Sequence, residues 1–269
     1  MTHLDRDHEY ILKGYRLEKI IEMLTQRQLP VPNSVPAMEY PINLRLRPQI
    51  VEPGHLTSLG EGPLKVLMSN GRISLYRGIK RGIDLLAALL LLLITSPIFL
   101  AVAVAIKLSS KGPVFFCQNR LTEGGRIFML IKFLSMITNA EQASGAVFAS
   151  KQDPRVTRIG RFLRQTRLDE LPQLINVLRG DMSLIGPRPE RPELARELSQ
   201  SIRRFPRRLS TKAGLTGLAQ VVQGYPDGLL GHRRKLGFDL LYIKKQSLLL
   251  DLWIAIKTIG VIMSGSGAR

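Results

Sequence analysis

The pattern of apolar and polar positions divides the chain into three stretches of different character. Residues 1 to about 29 are polar and helix-prone, with Ile20, Ile21 and Leu24 as a modest apolar face, and a proline-rich run (Pro30, Pro32, Pro36, Pro41, Pro48, Pro53) follows. That run reads as an extended arm to which no chemistry can be assigned. Next comes KRGIDLLAALLLLLITSPIFLAVAVAIKLSSKG, in which Leu85 to Ile106 carry no charge. About 20 apolar residues suffice to cross a hydrocarbon core as a helix.

Two features complicate a simple crossing. Ser96-Pro97 lies near the centre of the apolar run, where proline removes a backbone donor and breaks or kinks a helix. Basic residues flank both ends: Arg77, Lys80 and Arg81 before it, Lys107 and Lys111 after it. Positive charge marks the cytoplasmic side, so a hairpin that dips into one leaflet and returns satisfies both features. The Ser96 hydroxyl is a candidate partner for the backbone carbonyls freed at the break. One kinked crossing helix is equally compatible with the residues alone.

Beyond the hairpin the periodicity becomes that of an α/β or mainly α domain with short strands. GPVFFCQ and RIFMLIKFLSM read as short strands or strand-to-helix segments, and RVTRIGRFLRQT as a basic helix with Ile159, Phe162 and Leu163 inward. LPQLINVL reads as a short helix with Pro172 in its first turn and Gly180 as its stop. SLIGPRPE turns sharply, ELARELSQSIRRF is amphipathic, and LTGLAQVV reads as strand or loop. The apolar C-terminus is interrupted by Asp239, Lys244, Lys245, Asp251 and Lys257, which favours an amphipathic helix lying on a membrane or closing the core. The resulting domains are 1–75, an extension with the proline-rich arm; 76–111, the basic flank and membrane hairpin; and 112–269, the α/β or mainly α domain.

Composition then narrows the chemistry. The 269 residues contain 39 Lys and Arg against 21 Asp and Glu, a net charge of +18. Such an excess suits nucleic acid, an anionic membrane surface or phosphorylated substrates. The single cysteine, Cys117, excludes an intramolecular disulfide framework and reads as a packed small residue. The four histidines show no zinc spacing. MTHLDRDHEYILKGYRLEKI is too polar and acidic for a secretory signal.

Within this basic chain, Asp169 and Glu170 stand together behind arginines at 155, 158, 161, 164 and 167. The adjacent acids alone suit a helix start. Among so many cations they suit phosphate chemistry better: arginine forks hold phosphoryl oxygens, and nearby cations keep a carboxylate ionised for nucleophilic attack or metal binding. Steps of three drift around a helix by about 60°, so the five arginines cannot share one face.

KRGIDLL, the Ser96-Pro97 break, GPVFFCQNR, KFLSM, DPRVTRIGRFLR, RLDELPQLINVLRGDMSLIGPRPE, GLTGLAQV and FDLLYIKKQSLLLDLWIAIKT occur in this order. Together they resemble the bacterial sugar transferase family, the monotopic phosphoglycosyl transferases that act on polyprenyl phosphate. The resemblance implies transfer of a sugar 1-phosphate from a UDP-sugar to undecaprenyl phosphate, with release of UMP, as the first membrane step of exopolysaccharide or other surface glycan synthesis. It implies Asp169 as nucleophile, Glu170 as ligand of Mg²⁺ (or Mn²⁺), and a re-entrant helix. Lys132, Arg155, Arg164, Arg188, Gln118 and Arg120 match positions expected to bind substrate or phosphate, and the Pro187–Pro189 turn is expected to shape the nucleotide pocket. Asp181 is read as a turn former. The implied location is the cytoplasmic face of the bacterial cytoplasmic membrane, beside its lipids and downstream glycosyltransferases, with no specific nucleic acid partner.

Three positions depart from the family pattern. Cys117 and Leu134 replace usual arginines, and Ala213 precedes Gly214 where proline is usual. These losses of cations leave the sugar open and keep a catalytically silent membrane scaffold as the alternative. A nucleic-acid binder would explain the charge but not the apolar segment, and a nucleotide-sugar pyrophosphatase would need no lipid.

Overall fold

The computed structural model describes residues 71–110, 112–138, 153–224 and 228–264; the expected arm and its preceding helix lie outside them. The described part is mostly helical, with short strands. Helix α1, Gly71–Ser109, contains Pro97, and its stretch Ser74–Ser109 is long and apolar enough to cross a membrane. Proline at 97 cannot donate to the carbonyl of Leu93. The Ser96 hydroxyl donates to that carbonyl at 2.8 Å, so the sequence carries its own repair of the gap.

Strands β1 (Phe115–Leu121) and β2 (Ile127–Phe133) form an antiparallel hairpin that pairs Phe116 with Lys132 and Leu121 with Ile127. Helix α2 (Arg158–Gln165) starts at Thr157, whose side chain accepts from Gly160 N. A 3₁₀ turn, Leu168–Glu170, leads into α3 (Gln173–Arg179), which Gly180 ends in the left-handed conformation. Strand β3 (Met182–Ile185) then pairs in parallel with β4 (Ala213–Thr216). Between these strands lie α4 (Pro192–Ser201) and a 3₁₀ segment, Phe205–Ser210. Three helices close the chain: α5 (Leu218–Val222), α6 (Gly228–Lys245) and α7 (Leu248–Met263).

Two cores receive the two arms of α1. Ala88 and Leu92, before the proline, pack with Leu130, Leu174, Val177 and Met182. Phe99, Val102 and Ile106, after it, pack with Phe133, Leu134 and Leu163. Leu171 packs against both cores. The polar residues of KRGIDLL explain the docking of the first arm. Arg81 donates to the carbonyls of Val177 and Leu178 at 2.6 and 3.0 Å, reinforcing at the helix end a Val177 carbonyl that also accepts from Gly180 N. Asp84 accepts from Leu184 N at 3.0 Å.

Several expectations change here. LTGLAQVV is a strand followed by a helix, because Gly217 turns the chain between them in extended geometry. The C-terminal apolar stretch is two helices, since Ser247 adopts an extended conformation and caps α7 by accepting from Leu250 N. Asp251, one of the residues that interrupt the apolar run, is buried and accepts from Tyr76, Lys80 and Tyr242. Phe162 is 54% exposed. The face of α2 turned inward is that of Gly160 and Leu163, and any Cβ at Gly160 would lie 1.9 Å from the Ser135 carbonyl. Phe162 is two residues from Gly160, close to the opposite face. Cys117 is exposed rather than packed, in a stretch Phe115–Cys117 that is exposed throughout, and its neighbour across the ladder is Ile131. Asp181 pairs with Arg126 at 3.0 Å while its carbonyl accepts from Thr122, so it ties the turn after α3 to the hairpin.

Candidate active site

The acid pair sits in a tight turn rather than at a helix start. Arg167 has φ 61°, a left-handed conformation uncommon outside glycine. It separates α2 from the turn that carries Asp169 and Glu170, both buried. The backbone direction change thus comes from a residue whose side chain is also a cation.

Glu170 is clamped from two elements. Arg188 donates to its two oxygens at 2.6 and 3.3 Å, the bidentate fork suited to a carboxylate. Lys132 of β2 reaches the same carboxylate at 3.1 Å. Burial alone would raise this carboxyl, but Arg188 and Lys132 outweigh it and hold it well below the usual range. Asp169 behaves in the opposite way. Burial raises its carboxyl, and the neighbouring Glu170 charge adds to the rise against the pull of Lys132, Arg164 and Arg188. The expectation that cations simply depress Asp169 is therefore corrected: desolvation wins at Asp169, and the two acids divide. Such a division is how neighbouring carboxylates acquire different roles. A carboxylate with a raised pKa is the more basic and stronger nucleophile once ionised.

Lys132, Arg164 and Arg188 thus converge on the acid pair from β2, α2 and the loop after β3. Arg164 donates from Nε to Ser135 Oγ at 2.9 Å. Arg155 is bound in a fork by Asp153 at 2.8 and 2.6 Å; hydrogen bonding to Arg155 brings the Asp153 carboxyl down to about 2. Arg120 acts on the Pro187–Pro189 turn, and Gln118 holds Arg120. Arg120 donates to Gln118 Oε1 at 2.6 Å and to the Pro189 carbonyl at 3.2 Å.

The pair suits a hard divalent cation only together with a ligand's phosphate oxygens. Among the described residues no group of three or more His, Cys, Asp or Glu could hold a metal. Mg²⁺ is commonly held by one or two carboxylates plus substrate phosphates and water, and Asp169 and Glu170 supply that number. Glu170 would be the protein donor, sharing its oxygens with Arg188 and Lys132.

Some supporting residues carried no sequence signal. Asn176 is fully buried; its Oδ1 accepts from Ile131 N at 3.0 Å and its Nδ2 donates to the Met129 carbonyl at 2.8 Å. Its amide thus acts as a further strand against β2 and fixes the acid-bearing segment to the strand that carries Lys132. A second buried group, Glu190, Arg208, Lys235 and Asp239, was legible only as scattered charges. Glu190 ended a quoted motif and Asp239 interrupted an apolar run. Nothing in their spacing told that they meet.

The profile of the family described as "Bacterial sugar transferase" matches residues 75–265. The chain belongs to this family. It is 49% identical over 195 residues to a UDP-N-acetylgalactosamine-undecaprenyl-phosphate N-acetylgalactosaminephosphotransferase of Aeromonas hydrophila, covering 72% of this chain and 46% of that protein. It is 38% identical over 227 residues to a UDP-glucose:undecaprenyl-phosphate glucose-1-phosphate transferase of Xanthomonas campestris pv. campestris, covering 81% and 47%. A protein of that same description from Caulobacter vibrioides is 41% identical, with 70% of this chain and 71% of that protein covered. The match thus spans less than half the length of the first two relatives.

Proposed function

We propose that the chain transfers a sugar 1-phosphate from a UDP-sugar to undecaprenyl phosphate through a covalent sugar phosphate on Asp169. The observation that carries this reading is the buried Asp169–Glu170 pair ringed by Lys132, Arg164 and Arg188, in a chain whose relatives are named for that transfer. A carboxylate oxygen of Asp169 attacks the phosphorus that bears the sugar. The bond from that phosphorus to the bridging oxygen breaks, and UMP leaves with the electron pair. An oxygen of the lipid phosphate then attacks the same phosphorus and displaces the Asp169 carboxylate, giving undecaprenyl diphosphate sugar. A relay of this kind spares the site from holding the nucleotide and the lipid in line at once.

The cations act on charge. Lys132 and Arg188 hold Glu170 ionised, and Arg164 and Arg188 lie where phosphoryl oxygens beside Asp169 would gather. Mg²⁺ held by Glu170 supplies neutralisation of the diphosphate when bound. We assign the chain to the cytoplasmic face of the membrane, with α1 re-entrant. The reading is supported by basic flanks at both ends of the apolar run and by both arms of α1 packing on one domain. Cysteines placed at Gly78 and Ser109, both exposed, test the topology in intact cells. Both should resist an impermeant thiol reagent, and labelling of either from outside removes the re-entrant arrangement.

Chemistry is tested with UDP-N-acetylgalactosamine and UDP-glucose, each labelled in the sugar. Without lipid, label should remain on the protein at the peptide containing Asp169, and UMP should appear in amounts no larger than the enzyme. Undecaprenyl phosphate should discharge the label and make UMP release catalytic. Catalytic UMP release without lipid would mark a pyrophosphatase. No release with either sugar nucleotide would favour the scaffold.

A further inference from the structure

The loop from Pro187 to Glu190 is held along its whole backbone. The Pro187 carbonyl accepts from Gly214 N at 2.9 Å, and the Glu190 carbonyl accepts from Leu121 N at 2.9 Å. Between them, the Arg188 carbonyl accepts from Arg208 at 2.8 Å and the Pro189 carbonyl from Arg120 at 3.2 Å. Four consecutive carbonyls are therefore held by four different residues, from β4, β1 and the segment Phe205–Ser210. Two prolines flank Arg188 and fix φ on either side of it.

Arg208 is the member that acts on Arg188 itself. It is 3% exposed. Its guanidinium binds Asp239 at 3.1 and 2.8 Å and Glu190 at 3.2 Å, besides the Arg188 carbonyl. Lys235, which also pairs with Glu190, lies on α6 four residues before Asp239. The two cations face two carboxylates, all buried, so the group is neutral within itself. It reaches towards the acid pair through the Arg208 bond to the backbone of Arg188, whose side chain grips Glu170.

We infer that Arg208 is a positioning residue: oriented by Asp239 and Glu190, it fixes the Arg188 backbone so that the Arg188 fork stays on Glu170. This rests on the function proposed above. Arginine's planar guanidinium reaches these acceptors from three fixed, spread nitrogens, whereas a lysine gathers its three donors on one atom, so Arg208→Lys keeps the charge and loses the geometry. A misplaced group costs rate rather than binding when it serves mainly the transition state.

The full chain in detergent or lipid nanodiscs is assayed as unsubstituted protein, Arg208→Lys, Asp239→Asn, Arg188→Lys and the double variant Arg188→Lys/Arg208→Lys. Amide exchange across 186–191 is followed in parallel, since it needs no turnover. Exchange there should quicken in both Arg208→Lys and Asp239→Asn. Turnover by Arg208→Lys should fall about 10- to 100-fold in kcat, with KM for the sugar nucleotide changed less than about threefold. In the Arg188→Lys background, adding Arg208→Lys should cost less than about twofold more, because coupled residues are not additive. Equal losses in both backgrounds would show that Arg208 does not work through Arg188 and would overturn the inference. So would unchanged exchange in the variants, whether or not the chain turns over. An unsubstituted chain that makes no product while exchange responds as expected would strike the proposed function and leave the loop assignment standing.

Discussion

Two buried aspartates, Asp169 and Asp239, experience the same force and meet different ends. Burial raises the carboxyl of each. Asp239 is compensated by two contacts from Arg208, in a cluster where Glu190 and Lys235 complete the neutralisation. Among the described residues none forms an ion pair with Asp169, although Lys132, Arg164 and Arg188 all pull on its charge. Desolvation without a bonded partner leaves a carboxylate basic and available. Desolvation with bonded partners ties it to them, as Arg208 ties Asp239. Burial by itself therefore says little about role, and the partners decide it.

The sharpest way to break this comparison is to neutralise each aspartate. Asp169→Asn should lower kcat by about 10⁴-fold or more, since an amide is a poor nucleophile. It should not lower stability. The folded Asp169 carboxyl is raised, so above its unfolded value of 3.8 an ionised Asp169 subtracts from stability, increasingly as pH climbs through the folded pKa. Asparagine avoids that term. At neutral pH the variant should melt at the same temperature or higher, and below the unfolded pKa the difference should vanish. Thermal melts beside kinetics decide it; a clear loss of stability would show that Asp169 is held by partners after all.

Asp239→Asn should cost the fold more: its carboxyl is raised too, so proton linkage alone predicts no loss, and any loss measures its contacts with Arg208. Removing one member of a buried charge cluster leaves Arg208 short of compensation, at a cost of about 3–5 kcal/mol. Denaturant unfolding of the full chain measures it. A loss under 1 kcal/mol would mean that Glu190 alone suffices for Arg208 and that the contrast between the aspartates is smaller than their contacts imply.

How much of this was legible beforehand follows from the range of each interaction. The proline gap in α1 and its repair were readable because Ser96 and Pro97 are adjacent and the repaired Leu93 carbonyl is three residues from the serine, although α1 runs through the proline as one helix, Gly71–Ser109, where the sequence suggested a break. The stop at Gly180 was readable because a left-handed residue after a short helix is a local demand. The acid pair was readable as a site only from its company of arginines and its resemblance. Its electrostatic division was not, because that depends on Lys132 and Arg188, which lie 38 and 18 residues from Glu170. Arg208 and Asp239 are separated by 31 residues and sit in runs that read as ordinary basic and amphipathic segments. The strand β4 and helix α5 were blurred into one stretch because each is only four or five residues long.

A third test asks whether the site's scaffold is as demanding as the network's. Asn176→Ala removes both partners of the β2 edge, leaving Ile131 N and the Met129 carbonyl without them. An orphaned buried polar group costs about 1–3 kcal/mol. A loss of about 2–3 kcal/mol in unfolding experiments is expected, less than for Asp239→Asn, because water can reach part of an exposed strand. Activity should fall further than stability accounts for, since Asn176 joins α3 to the strand that carries Lys132.

The smallest effect, and the most selective, concerns Arg164. It pulls the Asp169 carboxyl down against burial, while the main influences on Glu170 are burial, Arg188 and Lys132. The rate at which the protein acquires sugar phosphate should rise with pH as Asp169 ionises, along a limb lying above the ordinary aspartate value. Arg164→Met removes a cation that favours the ionised form, so that limb should move to higher pH. Arg164→Lys keeps the charge and should leave the limb near its place, although the contact with Ser135 is lost. At a pH well above the limb, the Met variant should regain most of its labelling rate if Arg164 acts on Asp169 mainly through charge. A limb that stays put in Arg164→Met, with the rate low at every pH, would assign Arg164 to holding the phosphate rather than to tuning the nucleophile. A limb moving to lower pH would contradict the sign of the interaction. That result would also remove the reason for separating Asp169 from the compensated aspartate at 239.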